Sequence, residues 1–342
     1  MRIILDAREY DSFDPETPGK YGASEPLVMR VAAALVAAGH RVEGVWKGEM
    51  EKFVDEVTWW PHQLHPKTCD VLISCEWLLH AHEFEYDRLY VPLNKNNPIL
   101  ANLEKKVDGF VVFNEEHARQ LVFYSGGAVD EKQCIVIPPG VEMPPRSATR
   151  RKVKNRMIWC HTPERGLVHL LRQWPEIKRA VPSVSLTMTY GLDRSWDTNK
   201  WLMDTIAEEL LECRRLKSLH PESIHDIGRV TKEAVQRAQG ESEVMSYPCD
   251  APLPGIFTAF AAMECAAVGN ALILPHLEGL PDVFGSIAML LEYPIVEEQW
   301  IDVTVELLRD EVAKKRKAKE GREWAAEHPW SEHAEKWAEL VS

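Results

Sequence analysis

Short apolar runs and helix-spaced apolar positions alternate along this chain from end to end. Residues 1–7 open it as a strand, and Leu27, Val31, Ala34, Leu35 and Ala38 then share one face of a helix that Gly39 stops. Ser24 offers that helix a cap and Pro26 a fixed first turn, after a Gly/Pro-punctuated loop over 11–24. Strands are expected at 41–45, 70–74, 88–92, 109–113 and 134–137, with a helix over 115–124. The pattern then restarts. Residues 156–160 read as a strand, HTPERG as a loop, and 166–180 as a helix with Leu167, Leu170, Leu171, Trp174 and Ile177 on one face. Further strands are expected at 184–190, 243–247 and 271–274, and residues 193–221 read as polar and largely helical. An apolar helix is expected over 256–268, ended by Gly269, and Gly279-Leu280-Pro281-Asp282 reads as a turn beyond the strand that follows. Residues 324–340 read as an amphipathic helix with a break at Pro329.

Alternating strands and helices are the signature of an α/β fold with parallel sheets. The restart after the Pro-rich run PPGVEMPP predicts two Rossmann-like domains, 1–145 and 156–323, with a boundary near 143–156. A length of 342 residues exceeds one ordinary core and fits the same division. Apolar residues at 45% and charged residues at 27% describe a soluble globular chain. No apolar run reaches the length of a membrane span and the start lacks a signal-peptide pattern, so a cytoplasmic location is expected. Seven Cys lie scattered without C-x-x-C spacing, which favours reduced core thiols over disulfides or zinc.

A formal charge of −13 weighs against a chain that coats nucleic acid. Two basic runs, 146–156 and 314–319, read as solvated surface or as sites for a phosphate-rich partner. The loop after the first strand carries glycines but no G-x-G-x-x-G, which weighs against an NAD enzyme. His80 and His82 are spaced as a weak metal clip with no third ligand evident. Thr162-Pro163 is a helix-start signal that would bring Arg165 and free N–H groups together at a positive helix end, which suits a diphosphate. Glu264 is the only charge in its apolar helix, so it is expected to be bonded to something definite.

The stretch CDAPLPGIFTAFAAMECAAVGNALILPHLEGLPD, residues 249–282, resembles the C-terminal signature of retaining, nucleotide-sugar-dependent glycosyltransferases of the GT-B fold, family four (group 1). Glu264 takes the place of that signature's second Glu, with Gly269 and Gly279-Leu280-Pro281-Asp282 downstream; the first Glu falls on Ile256, a departure from the pattern. The runs G-K-Y-G-A-S-E, C-H-T-P-E-R-G-L and I-H-D-I-G-R-V resemble further segments of the same family. The resemblance implies two Rossmann-like domains facing a cleft, with a Trp-containing C-terminal helix, 324–342, packing back on the N-terminal domain. It implies a donor site formed by Gly22, His161, Arg165, Gly228, Tyr247, Thr258, Ala259, Phe260 and Glu264, with Arg165 and Glu264 as the catalytic pair. Acceptor contacts are implied at Lys20, Tyr21, Glu76, Trp77, His80 and His82. The co-substrate is a UDP or GDP sugar, with no cofactor and no metal. The acceptor is a glycan, lipid or small molecule, or else hydroxymethylated DNA stacked on Trp59, Trp60 or Trp77 and held by Arg150, Arg151 and Lys152. With Ile256 in place of the first Glu, the chain could also be a nucleotide-sugar binder without transferase activity, or a sugar-nucleotide epimerase on the same fold.

Overall fold

The structure, a computed structural model, describes residues 1–10, 13–17, 25–76, 78–94, 106–145, 151–193, 200–250, 255 and 257–342, with backbone alone for 200–202. It forms two compact units, Met1–Gly140 with Gly255–Thr258 and Trp330–Ser342, and Val141–Pro254 with Ala259–Pro329.

In the first unit the strands are β1 (Arg2–Asp6), β2 (Arg41–Trp46), β3 (Lys52–Val54), β4 (Val57–Pro61), β5 (Thr68–Ser74), β6 (Glu85–Pro92), β7 (Gly109–Val112) and β8 (Cys134–Val136), with helices α1 (Glu25–Ala37) and α2 (Glu115–Tyr124). They pair in the order β3-β4-β2-β1-β5-β6-β7-β8, parallel except where β3 meets β4. The chain runs outward from β1 to β2 and then returns to the other side of β1 for β5, so the strand order reverses between β1 and β5. Side chains alternate across a sheet. Ile3 and Leu5 therefore join Val31, Leu35 and Trp59 on one face, while Ile4 joins Leu72, Phe110 and Leu121 on the other. A sheet buried on both faces needs strands that are apolar throughout, as RIILD and VLIS are. The β3–β4 hairpin was not expected from sequence, because its three-residue first strand is too short to show a period.

The second unit repeats the plan with β9 (Arg156–Trp159), β10 (Ser185–Met188), β11 (Ile224–Asp226), β12 (Val244–Ser246), β13 (Ala271–Pro275) and β14 (Met289–Leu291). Its helices are α3 (Leu167–Ala180), α4 (Lys200–Ser218), α5 (Lys232–Glu241), α6 (Phe260–Ala267), α7 (Leu280–Phe284), α8 (Glu297–Arg309) and α9 (Glu311–Glu327). The sheet order β11-β10-β9-β12-β13-β14 is parallel throughout and reverses between β9 and β12. Trp174 and Trp300 are fully buried, and each indole N–H is satisfied, by Ser223 Oγ at 3.1 Å and Ser246 Oγ at 2.8 Å. Gly321 lets α9 lie close on α6, since a Cβ there would already sit 3.3 Å from the Ala266 carbonyl.

Several expected boundaries are corrected. The first unit ends at Gly140, not near 145, and it includes Gly255–Thr258. The C-terminal segment is two helices: α9 belongs to the second unit, and only α10 (Trp330–Val341) packs in the first, where Trp337 and Val341 enter the α1 core. Pro329, which lacks an N–H, marks the break. The Leu280-Pro281-Asp282 turn opens the short helix α7. Among the described residues no helix is long and apolar enough to cross a membrane.

Candidate active site

Ligands of open α/β sheets bind beyond the carboxyl ends of the strands, where the strand order reverses. In the second unit that point lies between β9 and β12, and the loops leaving those strands carry His161, Arg165, Tyr247 and Cys249. The loop after β9 forms a single 3-10 turn, Pro163–Arg165, and Gly166 then breaks it at φ +98° before α3 begins. The expected helix start at Thr162 is thereby corrected, because the Thr162 side chain makes no cap bond and Arg165 ends the short turn. Only glycine fits position 166: a Cβ would stand 2.1 Å from the Pro248 carbonyl oxygen. The two loops meet there.

The His161 ring stacks on Tyr247 with centroids 3.7 Å apart and planes 11° from parallel, and the His161 carbonyl accepts a bond from Trp159 Nε1 at 2.8 Å. Burial, with Arg165 nearby, holds the imidazole down at about 3, so it is neutral at physiological pH. Burial also pushes the Cys249 thiol up to about 12 and the Tyr247 phenol well above its usual range. His161 Nε2 and Arg165 Nη1 are buried without a hydrogen-bond partner among the described residues. Buried polar atoms normally have partners, so this corner has unspent capacity for an anionic or oxygen-rich ligand.

Glu264 belongs to the same corner. Its neighbour Cys265 lies with Sγ 3.8 Å from Cys160 Sγ, at the carboxyl end of β9. Gln239 Nε2 reaches both Cys160 Sγ, at 3.7 Å, and Glu264 Oε2, at 3.2 Å, while Lys232 Nζ donates to Glu264 Oε1. Glu264 is part-exposed, and the definite partners expected of it are Lys232 and Gln239. Gly228 follows β11 at φ +75°, and its N–H donates to Asp226 Oδ1 at 3.0 Å. A Cβ on Gly191, after β10, would lie 2.9 Å from Gly228 Cα, so these two loops also meet backbone to backbone.

The helix expected from residue 256 starts at Phe260, with Ala259 extended at its cap. Thr258 is therefore not helical, and it groups with the first unit. There the Phe257 carbonyl accepts a bond from Asn114 Nδ2 at 2.6 Å, and the Phe257 ring stacks on His117 with centroids 3.9 Å apart.

At the reversal between β1 and β5 of the first unit, Glu76 is buried at φ +69°, a conformation unusual for a side-chain-bearing residue. Tyr10 Oη donates to Glu76 Oε1 at 3.3 Å and accepts from Asn94 Nδ2 at 3.1 Å. His80 approaches Glu83 at 3.0 Å and Glu9 at 3.4 Å, whereas His82 is exposed and bonded to the Leu79 carbonyl. The two histidines thus have separate partners. No group of three His, Cys, Asp or Glu among the described residues is placed to hold a metal. Arg8, not singled out from sequence, is buried between Asp6 and Glu83. Burial alone would raise Glu83, but bonds from Arg8, His65 and Lys67 hold it at about 2. Lys20, Tyr21, Gly22, Trp77, Arg150 and Ile256 lie outside the described residues.

Trp59 is fully buried against Phe13, and Trp60 donates to Glu43 at 3.3 Å. Lys152 bonds Asn270 Oδ1 at 2.7 Å and is lowered to about 8 by burial. In the second basic run Lys314 is buried on Glu243 and Glu311, while Lys317 and Lys319 pair along the helix with Glu320 and Glu323.

No protein-family model and no curated protein sequence matches the chain. Solved structures do. Sucrose-phosphate synthase from Thermosynechococcus elongatus superposes with a TM-score of 0.76 at 14% identity, over 99% of this chain and 98% of that one. The glycosyltransferase WaaG, involved in lipopolysaccharide biosynthesis, gives 0.69 at 10% identity over 99% of both chains. An α,α-trehalose-phosphate synthase (UDP-forming) from Burkholderia vietnamiensis gives 0.69 at 14% over 99% of both.

The chain has the GT-B fold.

In this GT-B chain the second Rossmann-like unit brings together four of the residues expected at a donor site, His161, Arg165, Tyr247 and Glu264, and Gly228 sits two strands along the same sheet edge, after β11, where its loop meets that of β10. Sequence reasoning missed Lys232 and Gln239. A signal was present in α5, where a Lys and a Gln seven residues apart fall on one helical face.

Proposed function

We propose that the chain is a glycosyltransferase that takes a sugar from a nucleoside diphosphate and joins it to an acceptor hydroxyl. The observation that carries this reading is the pair of buried atoms without a hydrogen-bond partner among the described residues, His161 Nε2 and Arg165 Nη1, at the β9/β12 reversal of a GT-B unit. As the glycosidic bond breaks, negative charge grows on the departing diphosphate, and fixed donors aimed at it lower the barrier. Arg165 supplies a permanent cation there. Neutral His161, in its Nε2–H tautomer, donates to a phosphate or sugar oxygen without adding charge. Glu264 accepts the ribose hydroxyls, and the Gly191–Gly228 loops border the base. UDP is the favoured nucleotide, because one GT-B neighbour is described as UDP-forming. Retention of anomeric configuration and independence from metal are proposed on the resemblance of residues 249–282 to family four.

A glycan, lipid or small molecule is the proposed acceptor, with Glu76 and His80 at the β1/β5 reversal as its contacts. Hydroxymethylated DNA is not favoured: Trp59 is core, Trp60 serves Glu43, and Lys152 is bonded to Asn270. Seven free thiols accord with action in the cytoplasm.

Calorimetric titration of UDP, GDP and their hexose conjugates tests the donor site. Arg165→Ala and Glu264→Gln should each weaken binding roughly ten- to hundredfold, the worth of a charge-assisted bond. Unchanged affinity in both variants overturns the site. Tight binding with no sugar transferred to any acceptor would instead indicate a non-catalytic binder, and alteration of the donor alone an epimerase.

A further inference from the structure

Lys232 is the first residue of α5, the end of a helix where the backbone dipole disfavours a cation. It is nevertheless paired with Glu264, 32 residues further along the chain, and Gln239, two turns on in the same helix, holds the other carboxylate oxygen. One face of α5 therefore grips Glu264 from both sides. Each carboxylate oxygen has two lone pairs, and the described residues occupy one on each, which leaves one per oxygen for a ligand. The pair is open on one side, the Lys232 and Glu264 side chains being 35% and 26% exposed. A carboxylate held at both oxygens presents its free lone pairs in one fixed direction, whereas a freed one must be ordered when the ligand arrives.

We propose that Lys232 is the positioning residue of the nucleotide site, orienting Glu264 toward the two hydroxyls of a ribose. The inference rests on the nucleotide-sugar reading above and extends it to a residue outside the family signature. Lys232 acts through Glu264, so its effect exists only where Glu264 has hydroxyls to receive.

The test uses the full chain, with UDP and GDP and their 2′,3′-dideoxy counterparts titrated calorimetrically. Lys232→Met should weaken the preferred ribonucleotide roughly tenfold, and Lys232→Arg should restore it to within about threefold. The same Met substitution should change dideoxynucleotide affinity by less than about twofold, and so should its addition to Glu264→Gln, because coupled residues are non-additive. Melting temperatures of the variants monitor folding, and the Arg variant keeps the pair intact if Met disturbs α5. Wild-type discrimination of ribose from dideoxyribose with no loss in Lys232→Met overturns the inference alone. An equal loss for both sugars also overturns it, by showing a merely structural role. Failure of the wild-type protein to bind UDP or GDP overturns the nucleotide-sugar reading and the inference with it.

Discussion

Replacing Gly166 by Ala should destabilise the second unit more than the same change at Gly228. Both glycines have positive φ, +98° and +75°, so each substitution forces an L-residue into the left-handed region, at a cost of ~1–2 kcal/mol. At Gly228 no described atom lies within 4 Å of the new methyl, and the backbone term stands alone. At Gly166 the methyl would meet the Pro248 oxygen at 2.1 Å and the Asp250 nitrogen at 3.0 Å. Both are backbone atoms of the loop after β12, so that loop must move, and forced repacking adds ~1–3 kcal/mol. Gly228→Ala should thus cost ~1–2 kcal/mol and Gly166→Ala ~2–5 kcal/mol. Native-state hydrogen exchange of the β9 and β12 amides gives the opening free energy of this unit without assuming that the whole chain unfolds in one step. Gly166→Ala should also weaken nucleotide binding, because Arg165 precedes the displaced residue. Equal losses at the two positions would refute the close approach on which the reasoning depends.

Acid should destabilise both units. Burial holds His117 and His161 at about 3, below their ordinary 6.5. The unfolded chain takes up those protons first, so the stability is complete above ~pH 6.5 and is lost as the pH falls toward 3. His117→Leu should shrink the drop in urea midpoint between neutral and acid pH, and an unaltered drop would count against the assignment. Trp59→Ala should cost ~3–5 kcal/mol in denaturant unfolding, as a buried ring does, and a loss within ~0.5 kcal/mol would mark it as a surface platform instead. Lys314→Met should cost ~3–5 kcal/mol by stranding the Glu243 carboxylate, while Lys319→Met stays within ~0.5 kcal/mol; matching melting curves would return the whole basic run to the surface.

Part of the site was legible before any fold. Glu264 stood out as a lone charge among apolar neighbours, and desolvation required it to have partners. Arg165 stood out in a loop between a strand and a helix. What escaped was identity at a distance: nothing near Glu264 in the chain names Lys232 or Gln239, which are 32 and 25 residues away. Thr258 escaped for a related reason. Its segment looks like the first turn of an apolar helix, yet Asn114, 143 residues from Phe257, holds that segment in the first unit.

The sequence by itself determined the alternation of strands and helices and most of the sheet strands, though not the β3–β4 hairpin, β14 or α8. Periodicity records which side of one strand or helix faces the core, and glycines at positions such as 39 and 269 record where the backbone turns left-handed; both are local properties. Only the tertiary structure decided on which side of β9 the strand β12 would pair, and hence where the order reverses and which loops meet. Strand order is set by burial summed over both faces of a sheet and by connections of tens of residues, and no single segment carries a sign of it. The stacking of His161 on Tyr247, the contact of Gly166 with Pro248 and the grip of α5 on Glu264 all follow from that choice.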